Sequence, residues 1–333
     1  MQNLIDPAIL FFVFGVFAGL VRSNLEIPAP ISRFLSLYLL MALGLKGGFA
    51  LAHSGLTAQV ATGLGLAVLL AVTVPLLGYG LLSRFVSPFD AAALAATYGS
   101  VSAVTFITAI GHLERLDIAY GGHMAAAMAL MESPAILLAV LAANALRRRQ
   151  AAGVQVGAGG VGVIAPAGGG HSLGKMLHES LTDGAQLLLL GAMAVGMLSG
   201  EAGHRAMQPF SGDLFKGMLA FFLLDMGLMT ARNLPGLRDQ SPWLVGYGLL
   251  APPVHALLAL LFGRLAGLPV GDVALLMVLA ASASYIAVPA VVRYAIPEAN
   301  PSLYFGLSLG LTFPFNILVG IPLYTTLAQQ YAG

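Results

Sequence analysis

No cysteine occurs anywhere in the chain, which excludes disulfides, thiolate metal centres and cysteine nucleophiles. Charge is the second scarcity. Asp, Glu, Lys and Arg make up 9% of the 333 residues, against 58% hydrophobic residues and a mean hydropathy of +0.89. So few charges cannot cover the surface of a water-soluble protein of this size, and the composition is that of a polytopic membrane protein. A net charge of +1 leaves no broad basic surface for nucleic acid. No basic residue lies in Met1–Asp6, so the first apolar run is expected to stay as a helix and not to be removed as a signal peptide. The seven histidines show no metal-ligand spacing.

What is present is apolar and segmented. Ten runs are long enough, or nearly so, to cross a bilayer: roughly 7–22, 31–53, 57–83, 89–111, 120–146, 180–200, 209–231, 241–264, 270–295 and 301–328. Backbone groups in lipid must be satisfied internally, so these runs predict helices and an all-α membrane protein. Pro28, Pro30, Pro88, Pro235, Pro297 and Pro301 mark the joints. If the loop holding Arg147, Arg148 and Arg149 is cytoplasmic, ten of the fifteen Lys and Arg residues fall inside, which predicts both termini outside.

The stretch 147–178 divides the chain. It is rich in Gly and Ala and predicts a cytoplasmic linker between a first five-helix unit, 1–146, and a second, 179–333. Residues 157–162 fit G-x-G-x-x-G, but no strand–helix unit surrounds them, and they are read as linker. The two units share a register. Gly15 and Gly19 precede Gly196 and Gly200 by 181 residues, and Gly44 precedes Gly227 by 183. Pro75 precedes Pro253 by 178, and Pro134 precedes Pro314 by 180. An odd number of spans per unit makes the second copy inverted, an organisation typical of secondary transporters.

One polar, small-residue island interrupts the fourth run at Thr97–Thr105, and a twin interrupts the ninth. Ser100 and Ser102 precede Ser282 and Ser284 by 182 residues, the separation that also relates Asp90 to Asp272. Gly99 and the serines are weak helix formers, so both helices are expected to unwind there. Unwinding exposes half-helix N-termini to an anion, and carbonyl and hydroxyl oxygens to a hard cation such as Na+. Ser100, Ser102, Thr105, Ser282 and Ser284 are the candidate ligands. A lone intramembrane Ser is explained by a bond to its own i−4 carbonyl; the paired islands favour a site. Charged residues inside apolar runs cost about 2.5–3.5 kcal/mol each at a helix centre. Glu132 is read as a cation ligand or proton carrier. Lys46 is read either as a partner of Asp225 or as a snorkelling side chain. An interhelical hydrogen bond accounts for His255, and close helix packing for the Gly-x-x-x-Gly runs at 15–19, 196–200 and 306–310.

Several blocks go beyond composition: Gly44-Leu45 with Gly47-Gly48, Gly99 with Val101-Ser102 and Thr105, and Met131 with Pro134-Ala135. Further on are His178-Glu179-Ser180-Leu181, Ala251-Pro252 with Val254-His255, Ala280-Ala281-Ser282 with Ser284, and Pro289 with Arg293. The last is Ile296-Pro297 with Ala299-Asn300-Pro301-Ser302. In these the chain resembles the bacterial sodium-dependent bicarbonate transporter (SbtA) family over nearly its whole length. The resemblance implies ten transmembrane helices in two inverted repeats, similar to bile-acid sodium symporters. It implies a gate domain of spans 1, 2, 6 and 7, and a core of spans 3–5 and 8–10 in which interrupted helices 4 and 9 cross. It also implies a homotrimer in the bacterial plasma membrane, Na+ coupling and a PII-like regulatory protein on the cytoplasmic face. By the same resemblance Gly99, Val101, Ser102, Thr105, Ser282 and Ser284 line the substrate site, and Ser100 joins them from the reading of the islands. The family pattern has Asp where this chain has Tyr285, and Asp where it has Glu132. Asp225 stands at an apolar position of that pattern, and Ala287, Val288, Ala290 and Val291 at small or hydroxyl positions. Tyr285 is therefore included among the substrate-binding candidates, and Ser102, Thr105, Glu132 and Ser284 among the coupling-ion candidates.

The leading expectation is a non-enzymatic carrier that imports bicarbonate with Na+ by alternating access. Alternatives are a carrier of another small anion or a proton-coupled carrier of the same fold. Further alternatives are a transport-dead membrane sensor and an intramembrane serine enzyme, the last lacking a histidine within the islands.

Overall fold

The computed structural model describes residues 6–55, 57–155, 184–237 and 240–332. The described residues are helical, with no strand. In chain order the helices are α1 (Pro7–Leu20), α2 (Ala29–Ser54), α3 (Ala58–Leu82), α4 (Pro88–Gly99), α5 (Ala103–Arg115) and α6 (Met124–Gln155). They continue as α7 (Gly184–Gln208), α8 (Leu214–Asn233), α9 (Pro242–Leu265), α10 (Val270–Ala281), α11 (Ala287–Ala295) and α12 (Pro301–Tyr331, interrupted by π turns). Among the described residues, seven stretches are long and apolar enough to cross a membrane. One of them, Leu187–Asn233, holds 47 residues, which is about 70 Å of helix at 1.5 Å per residue and more than twice a bilayer core. α1 and α10 are apolar but shorter. Large apolar side chains such as Leu198, Trp243, Leu250 and Leu265 face outward, as a lipid-embedded surface requires. The protein is a multi-pass membrane protein.

Local sequence explains the helix starts. Pro7, Pro88, Pro242 and Pro301 occupy first-turn positions, where a missing N–H removes no helical bond. Asp6, Thr57, Ser87 and Asn300 cap first turns with side-chain oxygens.

Two differences from the sequence expectation stand out. First, α6 does not stop at residue 146. Ala-, Leu- and Arg-rich sequence carries it to Gln155, so the start of the expected linker is helix. The rest of that linker, residues 157–162 included, lies outside the described residues. Second, the chain breaks within 184–208 at Gly200 (φ 53°, ψ −143°), a backbone conformation open to glycine. The expected joint at 201–208 is itself helical, and the break falls at the end of the expected span 180–200. Beyond it, His204 stacks on Phe49 and Phe210 packs on Tyr38, so 201–210 runs back along α2.

Glycines set the closest helix contacts. α2 lies along α7, with Gly48 and Gly196 in backbone contact, and α1 lies along α8, with Gly15 and Gly227 likewise. Gly15, Gly196 and Gly227 are among the register-matched glycines of the sequence, and close packing is the role of all four. Two aspartates related by 182 residues also act alike. Asp90, in the first turn of α4, accepts the Asn300 N–H at 2.7 Å. Asp272, in the first turn of α10, accepts the Gly121 N–H at 2.6 Å. Each carboxylate joins a half-helix to a loop from the other half of the chain. The buried His123 imidazole lies 3.7 Å from Asp272.

Two outcomes are expected. A Cβ at Gly48 would overlap the Met193 carbonyl oxygen, whereas one at Gly65 meets nothing. Gly48→Val should destabilise the protein by about 1–3 kcal/mol, and Gly65→Ala should not, in thermal melts; equal melting temperatures would refute the packing account. Burial holds the His123 imidazole below its usual range, against the opposing pull of Asp272. A base with a depressed folded pKa charges in the unfolded chain first. Melting temperature should therefore fall as pH drops below about 6.5, and His123→Asn should flatten that fall.

Candidate functional site

The two islands unwind where expected and meet. α4 ends at Gly99 and α5 begins at Ala103, with Ser100, Val101 and Ser102 extended between them. α10 ends at Ala281 and α11 begins at Ala287. The Ser102 N–H donates to Ser282 Oγ at 3.0 Å, and the Ser284 N–H donates to the Thr97 carbonyl at 2.8 Å. These two bonds lock the breaks across each other. Gly99 lies against Pro75 of α3, where any side chain would overlap the ring.

The last three carbonyls of α10 are engaged by side chains. Ser282 donates to Leu279, His255 to Ala280, and Asn316 Nδ2 to Ala281 at 2.8 Å. His255 thus makes the interhelical bond expected of it. Asn316 was missed by sequence reasoning; a lone Asn between Phe315 and Ile317 was the available signal. Its Oδ1 accepts from Tyr324, which fixes the amide.

The start of α5 is different. Ser102 Oγ accepts the Thr105 N–H at 3.2 Å and the Thr105 hydroxyl at 2.9 Å. The Ala103 and Val104 N–H groups have no hydrogen-bond partner among the described residues. At α11, Ser284 Oγ accepts the Val288 N–H at 3.3 Å, and Pro289 brings no N–H. Two half-helix N-termini, each with positive partial charge, therefore begin at the crossing.

The structure brings Gly99, Ser100, Val101, Ser102, Thr105, Ser282, Ser284 and Tyr285 together, all buried. Tyr285 reaches beside Ser102, points its hydroxyl at Met226 Sδ of α8 (3.8 Å) and packs its ring on Phe313. Glu132 joins through its main chain: its carbonyl accepts from Ser100 Oγ at 3.4 Å, while its side chain is half-buried. The alternative pairing of Lys46 with Asp225 is not formed. Lys46 pairs with Glu114 at 2.9 Å, and Asp225 accepts from Ser32 within the α2–α8 contact. Among the described residues no three His, Asp or Glu side chains gather as a metal centre. The oxygens at the crossing are neutral hydroxyls and carbonyls, which suit a monovalent hard cation.

Ser102→Ala would remove the Oγ that accepts both Thr105 hydrogen bonds, and with it the α5 cap. It should lower stability by about 1 kcal/mol, read as a lower melting temperature. An unchanged melt would mean that Ser102 does not hold the break.

A search of curated proteins gives no match. A family model described as the Na+-dependent bicarbonate transporter superfamily matches residues 7–329, nearly the whole chain. Interrupted helices meeting head to head inside a multi-pass bundle fit that assignment, and the chain belongs to the Na+-dependent bicarbonate transporter superfamily.

Proposed function

We propose that this protein is a secondary transporter that imports bicarbonate with Na+ by alternating access. The observation that carries the reading is the crossing itself, where two half-helix N-termini begin beside buried hydroxyls, the α5 one with N–H groups to spare. Bicarbonate would sit on the Ala103 and Val104 N–H groups and the α11 start, an arrangement that favours an anion. Na+ is the co-transported ion of the family. Here it would take free lone pairs on Thr105, Ser284 and Ser282. Ser102 and Glu132 are the further candidate ligands, and the anion's own charge would also partner Na+.

The ten apolar runs, with the reversal after Gly200, support ten crossings arranged as inverted repeats. The matched α1–α8 and α2–α7 glycine contacts and the matched Asp90 and Asp272 bonds support the same symmetry. On this reading α1, α2, α7 and α8 form a gate, and the remaining helices a core that moves against it. Both termini would face outside a bacterial plasma membrane. A homotrimer and a PII-like cytoplasmic regulator follow from the family resemblance and are proposed on that ground alone.

A second reading keeps the fold and changes the cargo. Tyr285 fills space at the crossing, which favours selection of another small anion.

Proteoliposomes should take up labelled bicarbonate faster under an inward Na+ gradient than without one. Absence of uptake with or without Na+ would refute the bicarbonate assignment, and a competition panel of small anions would then identify the cargo. Proton coupling through Glu132 predicts that Glu132→Gln shifts the pH profile of uptake; an unchanged profile excludes it.

A further inference from the structure

At the opposite end of α5 from Ser102, two consecutive charged residues reach two different helices. Glu114 Oε1 meets Lys46 Nζ of α2 at 2.9 Å. The Tyr120 hydroxyl donates to the same oxygen at 3.1 Å, and the Phe215 ring of α8 lies 4.2 Å from the ammonium. Arg115 meets Asp6 at 2.8 Å, and Asp6 caps the first turn of α1 through its other oxygen. Consecutive residues on a helix point about 100° apart, which is how α5 addresses α1 and α2 together. The signs also fix the register. Rotating α5 so that Glu114 faced Asp6 would set two carboxylates together and carry Arg115 a further 100° round, away from Asp6, while leaving Lys46 without its partner.

All four side chains keep 21–29% of their surface exposed, and Lys46 and Glu114 line a cavity of about 800 Å³ with His53, Tyr120, Asp213 and Lys216. Water reaches the pairs, so they can part without stranding a charge in lipid. The arrangement is also one-sided. The positions 182 residues after Glu114 and Arg115 are Ile296 and Pro297, at the end of α11, and they carry no charge.

We propose that Glu114 and Arg115 form a two-point charged clasp that holds α5, and the Ser102 end of the site with it, against α1 and α2. The clasp opens when the two bodies move. α5 is 13 residues long, about 20 Å, and its intact helical bonding makes it a rod between clasp and site. The inference rests on the gate-and-core reading above. It makes Lys46, Asp6, Glu114 and Arg115 positioning residues that act through α5 without touching the solute.

The absence of cysteine supplies the test. Gly111 lies on α5 facing Leu219 of α8, where an added Cβ meets only one atom, at 3.4 Å. Gly111→Cys is therefore a single thiol on the seam that the clasp holds shut. Its modification by a water-soluble maleimide is followed in the otherwise unaltered chain, with Glu114→Gln/Arg115→Gln, with Lys46→Glu, and with Lys46→Glu/Glu114→Lys. Labelling should be at least about tenfold faster with the double Gln variant and with Lys46→Glu, and should slow again when the pair is reversed. Equal rates throughout would overturn the clasp, and so would fast labelling that charge reversal does not slow. Uptake is measured in the same preparations. If the parent protein carries no anion, the transport reading fails, while the labelling rates still decide the clasp.

Discussion

Two helices are broken inside a medium that offers no water to the freed backbone. That constraint organises the rest of the molecule. Each N–H and C=O released at Ser100–Ser102 and Ser282–Ile286 needs a partner, and the nearest source is the other break. The bonds from the Ser102 and Ser284 main chain to Ser282 and Thr97 satisfy it and fix the crossing. His255 and Asn316 close the α10 carbonyls from neighbouring helices. The donors left over, the Ala103 and Val104 N–H groups, lie at the N-terminal end of α5. The proposed anion site is what remains after the protein has satisfied its own backbone.

The surroundings hold the crossing in place by short-range contacts. Gly99 lets α4 settle on Pro75, and the Gly48–Gly196 and Gly15–Gly227 contacts bring α1, α2, α7 and α8 to backbone distance. Asp90 and Asp272 tie the outer ends of the half-helices α4 and α10 to loops from the opposite half of the chain. The α5 half-helix is anchored at both ends, by hydroxyls at Ser102 and Thr105 and by ion pairs at Glu114 and Arg115. Tyr285 is the polar link from the crossing to α8, and it brings an aromatic ring into the space beside Ser102.

Much of this was legible in the sequence because it follows from composition and spacing. Long apolar runs must be helices, and paired Ser islands at one separation must interrupt two of them. The matched glycines and aspartates were visible as a register, though not as contacts. Side-chain pairing was not legible. Lys46 and Asp225 lie in corresponding runs, yet Lys46 finds Glu114, because α5 crosses to α2 at a place no periodicity encodes. The end of α6 was misplaced because a run of arginines reads as a loop charge while remaining good helix sequence. Asn316 was overlooked because a single amide in an apolar run has no twin.

The central claim is that bicarbonate rests on main-chain N–H groups at the start of α5. Ala103→Pro tests it most directly. Proline is well tolerated at the first helical position, and Ser102 before it already has the extended backbone that a following proline requires (φ −109°, ψ 111°). The substitution therefore deletes one donor while leaving the helix its shape. Labelled bicarbonate binding to the purified variant should weaken by at least about tenfold, the loss of a charge-assisted hydrogen bond, with little change in melting temperature. Binding equal to that of the parent protein would contradict the account.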